Sequence, residues 1–372
     1  MEHSFTENIK QVLKEHCGKH ADDVFERSLL IQYINLKTRS ANKGSKARSS
    51  FANLYAIYVI IEDYIAKGFD MKGDYSKYEG ALFNKLFARQ RELPFGGSLQ
   101  NHALNNRMNS EFQKFFPGSE LIPIIRNLET KRYWINENLV VIQIGKKKIN
   151  IARFILEIID EYVKTKQNSF RKFIDSCNRL QEIGSETPEV VRKFIIDLVA
   201  PNSDARLFEI VSYSILKYYY SDQTIFWGYE IDKLNKESLT LYKTGRTNAN
   251  DGGIDFVMKP LGRFFQVTET LDFKKYFLDI DKIQRYPITF VVKSTEDLEL
   301  LKQKIESNAQ KTYPVKAIVQ KYMDSIEEII NIPVLISRFE EAIKSGCLTQ
   351  ILDEIVLQSR VEFNNEDDED GY

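Results

Sequence analysis

The sequence predicts a mixed α/β (α+β) protein, with a mainly helical first part and a second part built from three layers of helices and strands. Three observations lead to this prediction. Apolar residues recur at helical spacing through much of the first 185 residues. Short apolar runs bounded by glycine or proline, which are typical of strands, follow after residue 220. The turn-forming segment Gly184–Pro188 separates the two parts, so we expect domains at 1–185 and 186–362, followed by an acidic tail at 363–372.

Composition excludes several classes of protein. The chain has 372 residues, of which 43% are hydrophobic, so wholesale disorder is excluded. No apolar run approaches the roughly 20 residues of a membrane helix, and the first residues contain no secretory signal. We therefore expect a cytoplasmic protein with no membrane partner. The three cysteines are odd in number and far apart, which argues against a disulfide framework or a cysteine-based zinc site.

The net charge of −1 hides an uneven distribution. Five consecutive acids, Glu366–Asp370, form a block that repels itself and is typical of a disordered tail. Without those five acids the net charge becomes +4. A near-neutral sum therefore excludes a strongly basic coat, but it is compatible with nucleic-acid binding through local positive patches.

One such patch is the segment 36–50, which carries five positive charges and no negative one. It precedes the strongly apolar segment 51–61, which we predict to be a buried helix. A basic loop at the start of a helix can offer charge and free N–H groups to a phosphate. A simply solvated loop is the alternative. The predicted DNA-binding residues of this segment are Lys37, Arg39, Lys43, Lys46 and Arg48.

Residues 80–117 resemble a helix-turn-helix, with a Pro-Gly-rich break at 93–97 and Ser98 as the N-cap of a second helix. We predict residues 98–110 to be the recognition helix, because it is dense in the side chains that pair with base edges. An exposed polar helix is the alternative. The residues predicted to bind DNA here are Asn101, Asn105 and Arg107.

A hairpin predicted over 133–149 would accompany the recognition helix as a wing. It ends in a basic turn that suits phosphates, in which Lys146 and Lys147 are the predicted contacts and Lys148 follows them.

The second part has a different order of elements. We predict a helix over 203–220, a strand over 224–231, a hairpin of strands at 254–258 and 263–268, and a helix over 273–284. A buried strand at 287–292, a helix beginning after Ser294 and further helices over 320–360 complete it.

The residues with the clearest chemical meaning lie in that hairpin. Asp255 follows a Gly-Gly bend at the start of one strand, and the next strand places Gln266 and Thr268 on one face. Hairpin pairing would bring Asp255 close to Gln266. Oxygen-bearing side chains at a strand end can hold a hard cation such as Mg²⁺, which phosphodiester hydrolysis uses to activate water and stabilise developing charge.

The pattern G-G-I-D…F-Q-V-T at 252–268 resembles the nuclease core of the PD-(D/E)xK superfamily in its Mrr-like form, and the chain is similar to a type II restriction endonuclease. The resemblance covers roughly residues 200–295. It implies a restriction-endonuclease-like core in which Asp255 binds metal, Gln266 takes the second acidic position and Glu209 completes the metal shell from the preceding helix. It implies Mg²⁺ as the cofactor.

At position 268 the chain departs from the family, which carries a lysine where this sequence has Thr268. Three replacements are open: Lys259 could fold back, Lys274 or Lys275 could reach in from the next helix, or Glu269 could act as a base if the strand bulges.

Each candidate also has a purely structural interpretation. Asp255 suits a turn, Gln266 can satisfy a structural hydrogen bond, and Glu209 can pair with Arg206. Arg246 and Asn248 precede Asp255 and could touch DNA, or simply belong to a polar loop.

The resemblance implies magnesium-dependent, site-specific cleavage of double-stranded DNA by a homodimer, with a cognate methyltransferase as a genetic partner. A modification-dependent or less specific Mrr-like nuclease is one alternative. A DNA-binding protein that kept the fold without the chemistry is another, and Thr268 motivates it. Motifs of serine hydrolases, P-loop NTPases and dinucleotide enzymes do not occur.

Overall fold

A computed structural model describes residues 2–39, 47–71, 73–97, 99–183, 187–244, 254–269, 273–283 and 285–363. It contains both helices and sheets, which confirms a mixed α/β protein. Two compact units, Met1–Phe173 and Ile174–Tyr372, divide the chain within the helix Ala152–Ile183, whereas the sequence placed the boundary after residue 185. Ser98 and residues 364–372 of the predicted acidic tail lie outside the described residues, while Phe363 ends a helix. Within the described ranges, no helix is both long enough and apolar enough to cross a membrane.

The first unit is mainly helical. Its helices are α1 (Thr6–Cys17), α2 (Ala21–Arg27), α3 (Leu29–Thr38), α4 (Ala47–Ala66), α5 (Phe83–Glu92), α6 (Met108–Phe115), α7 (Glu137–Val140) and the first part of α8 (Ala152–Ile183). Its strands are β1 (Ala81–Leu82), β2 (Ile124–Asn127), β3 (Arg132–Ile135), β4 (Val141–Ile144) and β5 (Lys147–Asn150). Strand β3 lies between β1 and β2, and β4 pairs with β5 as a separate hairpin.

The prediction of a buried helix after the basic segment is confirmed. From Leu54 to Ile61 every side chain of α4 is buried. A helix that is apolar on all sides has to be surrounded by other elements. Around α4 the other helices and the three-stranded sheet supply that cover, and their side chains form one continuous core with it.

Two predictions for this unit are corrected. The single helix expected over 5–35 is three helices, because Gly18 adopts a φ of 54° after α1 and Ser28 begins a new helix by accepting the Ile31 N–H. The hairpin expected over 133–149 is interrupted by α7, which Asn136 caps. Only β4 and β5 form that hairpin, while β3 pairs with β1 and β2.

The second unit contains the rest of α8, then α9 (Pro188–Leu198), α10 (Ala205–Ser221), α11 (Phe273–Lys282), α12 (Leu298–Thr312), α13 (Lys316–Ser325), α14 (Ile332–Lys344) and α15 (Leu348–Phe363). Its strands are β6 (Thr224–Trp227), β7 (Asn235–Ser238), β8 (Thr240–Lys243), β9 (Phe256–Lys259), β10 (Arg263–Thr268), β11 (Ile288–Val292) and β12 (Ile326–Ile330).

Five of these strands form one sheet in the order β12-β11-β10-β9-β8. Strands β8, β9 and β10 are an antiparallel meander, and β11 and β12 run parallel to β10. Lys243 pairs with Phe256, Phe256 with Phe265, and Thr268 with Val292. The end of β8, the start of β9 and the ends of β10 and β11 therefore meet at one end of the sheet.

Helices cover both faces of this sheet. On one face α10 packs through Tyr213 against Phe256 and through Tyr220 against Phe265, with ring centroids 5.2 and 6.0 Å apart. On the other face Tyr276 of α11 stacks on Phe290 of β11 at 4.4 Å, in a core shared with α12 and α13. The five residues of β11 are all buried, as expected for a strand covered on both faces.

The first and last strands of the sheet differ from the predictions. Residues 224–227 pair with β7 in a separate ribbon, and the meander begins instead at β8, where no strand was predicted. The sequence also predicted helix at 326–330, which is β12. Both strands lie at the edges of the sheet, where partial exposure weakens the apolar pattern that predicts strands.

A matched pair of glycine substitutions tests the packing of the first unit. At Gly80 the φ is 75° and an added Cβ would lie 2.5 Å from Trp134, whereas at Gly145 the φ is 57° and nothing lies within 4 Å. We expect Gly145→Ala to lower the free energy of unfolding by about 1 kcal/mol, from backbone strain alone. Gly80→Ala should cost about 3 kcal/mol, because it adds a steric clash. Urea denaturation of both variants measures the difference, and equal losses would contradict the packing described.

Candidate active site

Asp255 lies at the meeting point of three strands. Its backbone N–H donates to the Phe265 carbonyl at 3.0 Å, and its carbonyl accepts the Thr244 N–H at 3.0 Å. Its carboxylate Oδ2 accepts the Val267 N–H at 2.7 Å. These contacts place the carboxylate at the end of the sheet, where β9 begins, and fix its orientation against β10.

Gln266 is the neighbour that the hairpin provides. Its side chain is 5% exposed, and its Oε1 is buried with no hydrogen-bond partner among the described residues. Its Nε2 donates only a long hydrogen bond, 3.3 Å, to the Val267 carbonyl. Since Phe265 pairs with Phe256, alternation along both strands places Gln266 and Asp255 on the same face.

An unpaired buried amide oxygen is costly, by about 1–3 kcal/mol. It also leaves a lone pair available for a ligand that the protein alone does not provide. Gln90 Oε1 and Asn53 Oδ1 of the first unit share this property, so the position of Gln266 on the same sheet face as Asp255 is what makes it a candidate site residue.

The Glu209 carboxylate forms ion pairs with positively charged side chains of its own unit. It pairs with Arg206 on the same helix, and one carboxylate oxygen lies 3.7 Å from Lys243 Nζ at the end of β8. The contact with Arg206 agrees with the structural interpretation of Glu209 as an ion-pair partner of that residue. Glu209 borders the same end of the sheet as Asp255, because Lys243 pairs with Phe256.

A second charged pair at this end of the sheet was not predicted. Lys293 directly follows β11, and its N–H donates to the Thr268 carbonyl at 2.9 Å. Its side chain is 4% exposed, and its ammonium lies 3.0 Å from Glu269 Oε1. The same ammonium donates to the Ser203 carbonyl and lies 5.9 Å from the centre of the Phe208 ring. A lysine directly after a mostly apolar strand was the available sequence signal.

The residues proposed to replace the missing lysine differ in their distance from Thr268 and Asp255. Thr268 is 4% exposed and carries no charge. Lys259 ends β9, at the opposite end of that strand from Asp255, and its ammonium lies 5.3 Å from the Tyr242 ring. It does not fold back towards Asp255. The side chains of Lys274 and Lys275 lie outside the described residues, so Glu269 and Lys293 are the charged pair described next to Thr268.

Nearby phenols are not acid–base groups at neutral pH. Burial raises the pKa of the Tyr213 hydroxyl, which donates to the Leu241 carbonyl at 3.2 Å. A phenol with a raised pKa stays protonated, so it cannot accept a proton from water.

The predicted metal ligands are Asp255, Glu209 and Gln266. Across the described residues, no group of three His, Cys, Asp or Glu side chains could hold a metal ion. Mg²⁺, however, commonly binds one or two protein oxygens and keeps several waters. Asp255 and the unpaired Oε1 of Gln266 fit that smaller requirement, whereas Glu209 is already paired with two cations.

Of the cations predicted to bind phosphate in the basic segment, the structure describes the side chains of Lys37 and Arg39. The Lys37 side chain is 9% exposed and its ammonium lies 2.7 Å from Glu111. Arg39 is exposed at the end of α3. Lys43 and Lys46 lie outside the described residues, as does the side chain of Arg48. Arg246 and Asn248, from the loop before Asp255, also lie outside them.

The recognition helix predicted over 98–110 is shorter and less regular than expected. A π-helical segment, Ala103–Arg107, precedes α6. Asn105 is half-buried and accepts a hydrogen bond from the Tyr133 hydroxyl at 3.1 Å. Asn101 is half-buried, while Arg107 is exposed. This arrangement leaves Arg107 as the predicted contact that is most accessible to solvent.

The hairpin of β4 and β5 presents its positive charges to solvent. Lys146 lies in the turn, Lys147 and Lys148 begin β5, and all three side chains are exposed. The described residues therefore place three adjacent exposed cations on one short ribbon.

No protein-family model, curated protein or solved structure matches this chain.

Substitution of two equally buried amide side chains tests whether Gln266 serves the site or the stability of the fold. Gln266 and Asn109 are both 5% exposed, but Asn109 bonds both the N–H and the carbonyl of Ile124, at 3.0 and 2.8 Å. We expect Asn109→Leu to lower the free energy of unfolding by about 2 kcal/mol or more, because it orphans two backbone groups. Gln266→Leu should leave it unchanged or raise it by about 1 kcal/mol. Urea denaturation of both variants decides, and a large loss for Gln266→Leu would make its role structural.

Proposed function

We propose that this chain is a metal-dependent endonuclease that cleaves double-stranded DNA at specific sites, in the manner of a type II restriction endonuclease. The observation that carries the proposal is the placement of Asp255 and Gln266 on one face of the sheet. A carboxylate fixed by a backbone hydrogen bond shares this face with a buried amide oxygen that has no partner among the described residues.

The order of elements around this pair supports the proposal. Helix α10 precedes the meander β8-β9-β10, and α11 then leads to the parallel strand β11. The sequence predicts a succession of the same element types, although the first strand of the observed meander is β8 and not the strand predicted at 224–231. The candidate residues come from four of these elements or from residues directly adjacent to them.

Asp255 and Gln266 would hold the cation. Bound Mg²⁺ supplies a water of lowered pKa and stabilises negative charge on the phosphate. The chain itself fixes the carboxylate of Asp255 through the Val267 N–H, so the site needs little rearrangement when substrate arrives.

The first unit would bind DNA. Lys146, Lys147 and Lys148 suit phosphates, and Arg107 lies exposed beside α6. Because two strands need two active sites, we infer that the protein cuts as a homodimer at a symmetric sequence. A methyltransferase that protects the same sites is the genetic partner that this activity implies.

A second function, DNA binding without cleavage, is favoured by Thr268. This residue is buried and uncharged where the resemblance implies a lysine. Incubation with unmethylated phage DNA and Mg²⁺ separates the two functions. Discrete fragments support the site-specific nuclease, while fragments from methylated DNA alone indicate a modification-dependent enzyme. A mobility shift without cutting indicates a binding protein.

Substitution of Asp255 tests the metal site. Asp255→Asn retains an oxygen that can accept the Val267 N–H but removes the charge, so we expect a loss of kcat of the order of 10²–10³ with DNA binding retained. Asp297→Asn is the matched control, because Asp297 also accepts backbone N–H groups, at the start of α12. Cleavage of a plasmid and a mobility-shift assay measure the two properties. Normal cutting by Asp255→Asn would contradict the assignment.

The exposed lysines of the hairpin predict a salt effect. Each phosphate contact contributes about 0.9 to the slope of log K against log salt concentration. Replacing Lys146, Lys147 and Lys148 by alanine should reduce that slope by up to about 2.7. The control replaces three exposed lysines of α12 and α13, namely Lys302, Lys311 and Lys321. Binding measured at several salt concentrations tests this, and equal slopes for the two triple variants would exclude the hairpin as the DNA contact.

A further inference from the structure

We propose that the ribbon formed by β6 and β7, residues 224–238, is the surface through which two copies of this chain associate. The inference rests on the homodimer of the proposed function, for which it names the contact surface. Association of two copies can be measured without DNA, metal or cleavage, so it is tested separately from the nuclease activity.

The ribbon exposes large apolar side chains to solvent. Tyr229 is completely exposed and Ile231 is 88% exposed, and every residue of the ribbon except Ile225 is exposed. The five large apolar residues exposed on it are Phe226, Trp227, Tyr229, Ile231 and Leu234. Apolar patches of this kind mark interaction sites. Because a two-stranded hairpin is by itself only marginally stable in water, we expect another surface to cover this one.

The ribbon is held in a defined shape. At its base the Leu239 N–H donates to the Gln223 carbonyl at 2.8 Å, and Leu239 is buried. In its turn Lys233 Nζ lies 2.6 Å from the Glu230 carboxylate. Gly228 approaches the turn so closely that an added Cβ would lie 2.6 Å from the Lys233 carbonyl oxygen. The apolar side chains are therefore presented from a fixed scaffold.

The apolar surface of the ribbon is of the size that a dimer needs. A standard interface buries about 800 Å² on each partner, of which about 500 Å² is apolar. Since a fully exposed aromatic side chain presents about 150–250 Å², Phe226 and Tyr229 together expose roughly 300 Å². Ile231 and Leu234 extend this patch. The ribbon thus supplies most of the apolar contact of a standard interface.

Charge and position argue against nucleic acid as the occupant. The ribbon carries three acids and two lysines, a net charge of −1, whereas a phosphate backbone is bound through positive charge. The ribbon leads directly into Thr240, which pairs with Lys259 at the end of β9 opposite Asp255. A contact at this end of the sheet leaves the candidate active site open to DNA.

Two charges of the ribbon are available to a partner. The charges of Glu230 and Lys233 neutralise each other, and Glu237 accepts the indole N–H of the tryptophan in β6 at 2.8 Å. Across the described ranges, the other two charged side chains of the ribbon, Asp232 and Lys236, are exposed and have no hydrogen bond or ion pair. The ribbon therefore offers one anion and one cation.

These two charges fit a second copy of the same ribbon. Asp232 and Lys236 lie two positions before and after Leu234, and Lys236 shares a face with Phe226 because the two residues are paired across the strands. In a dimer with a two-fold axis, each contact between two residues occurs twice. With the axis beside Leu234, Asp232 of each copy lies next to Lys236 of the other while the apolar patches cover each other.

A charge placed within the apolar patch tests the contact. In sedimentation equilibrium of the full-length protein without DNA, we expect the unchanged chain to dimerise. Ile231→Asp should raise the dimer dissociation constant by about 30-fold or more, because it puts a charge into the apolar contact. Leu128→Asp is the matched control, since Leu128 is 71% exposed between β2 and β3 of the first unit. It should leave the dissociation constant unchanged, and melting temperatures confirm that both variants fold.

Charge reversal tests whether the occupant is a second copy. Asp232→Lys and Lys236→Asp each bring like charges together twice in the dimer, so each should raise the dissociation constant by at least about 10-fold. An equimolar mixture of the two variants brings opposite charges together at both contacts of a mixed dimer, so the mixture should dimerise. The double variant, Asp232→Lys with Lys236→Asp, should dimerise for the same reason.

The measurements separate this inference from the proposed function. A chain that stays monomeric at every concentration, or equal effects of Ile231→Asp and Leu128→Asp, would overturn the inference whether or not the protein cuts DNA. Single variants that weaken the dimer without rescue in the mixture would exclude the two-fold contact. If Ile231→Asp keeps the dimer and weakens DNA binding, nucleic acid is the occupant and the inference is wrong. A dimer that no ribbon variant affects would leave the homodimer of the proposed function in place and reject the ribbon as its surface.

Discussion

The parallel pairing of β10 with β11 is the constraint on which the second unit depends. Five residue pairs, from Phe264 with Ile288 to Thr268 with Val292, set its register. Parallel strands need a crossover connection, and α11 lies within it and covers one face of the sheet. At the other end of the strands, Arg263 ties β10 to Thr289 and to Glu328 of β12. This register is what brings residue 293 next to residue 268.

Buried polar groups of this protein differ in their surroundings. In the first unit Asn109 satisfies both groups of Ile124, and Lys37 neutralises Glu111, so those polar side chains are used inside the fold. At the end of the large sheet, Gln266 Oε1 has no partner among the described residues, a property that Asn53 Oδ1 and Gln90 Oε1 of the first unit share. Gln266 differs from these two because it shares a sheet face with the Asp255 carboxylate, and this makes the sheet end the best candidate for catalysis.

Local patterns predicted much of this protein. The buried helix α4, the strands β9, β10 and β11, and the helix that carries Glu209 follow from apolar spacing and turn residues within short windows. The placement of Asp255 and Gln266 on one sheet face could be predicted for the same reason. They lie only eleven positions apart in a single hairpin, so local pairing determines where both lie. The edge strands β8 and β12 could not, because partly exposed strands lack a distinctive apolar pattern.

The sequence by itself determined which residues could carry chemistry, and it located Asp255 and Gln266 in one hairpin. Only the tertiary structure decided how charges pair over long distances: Lys37 with Glu111, Glu209 with Lys243, and Glu269 with Lys293. The physical reason is that hairpin contacts depend on neighbouring residues, whereas these pairs depend on how separate elements pack. Lys37 therefore belongs to a run of like charges in the sequence but to a neutralised pair in the folded chain.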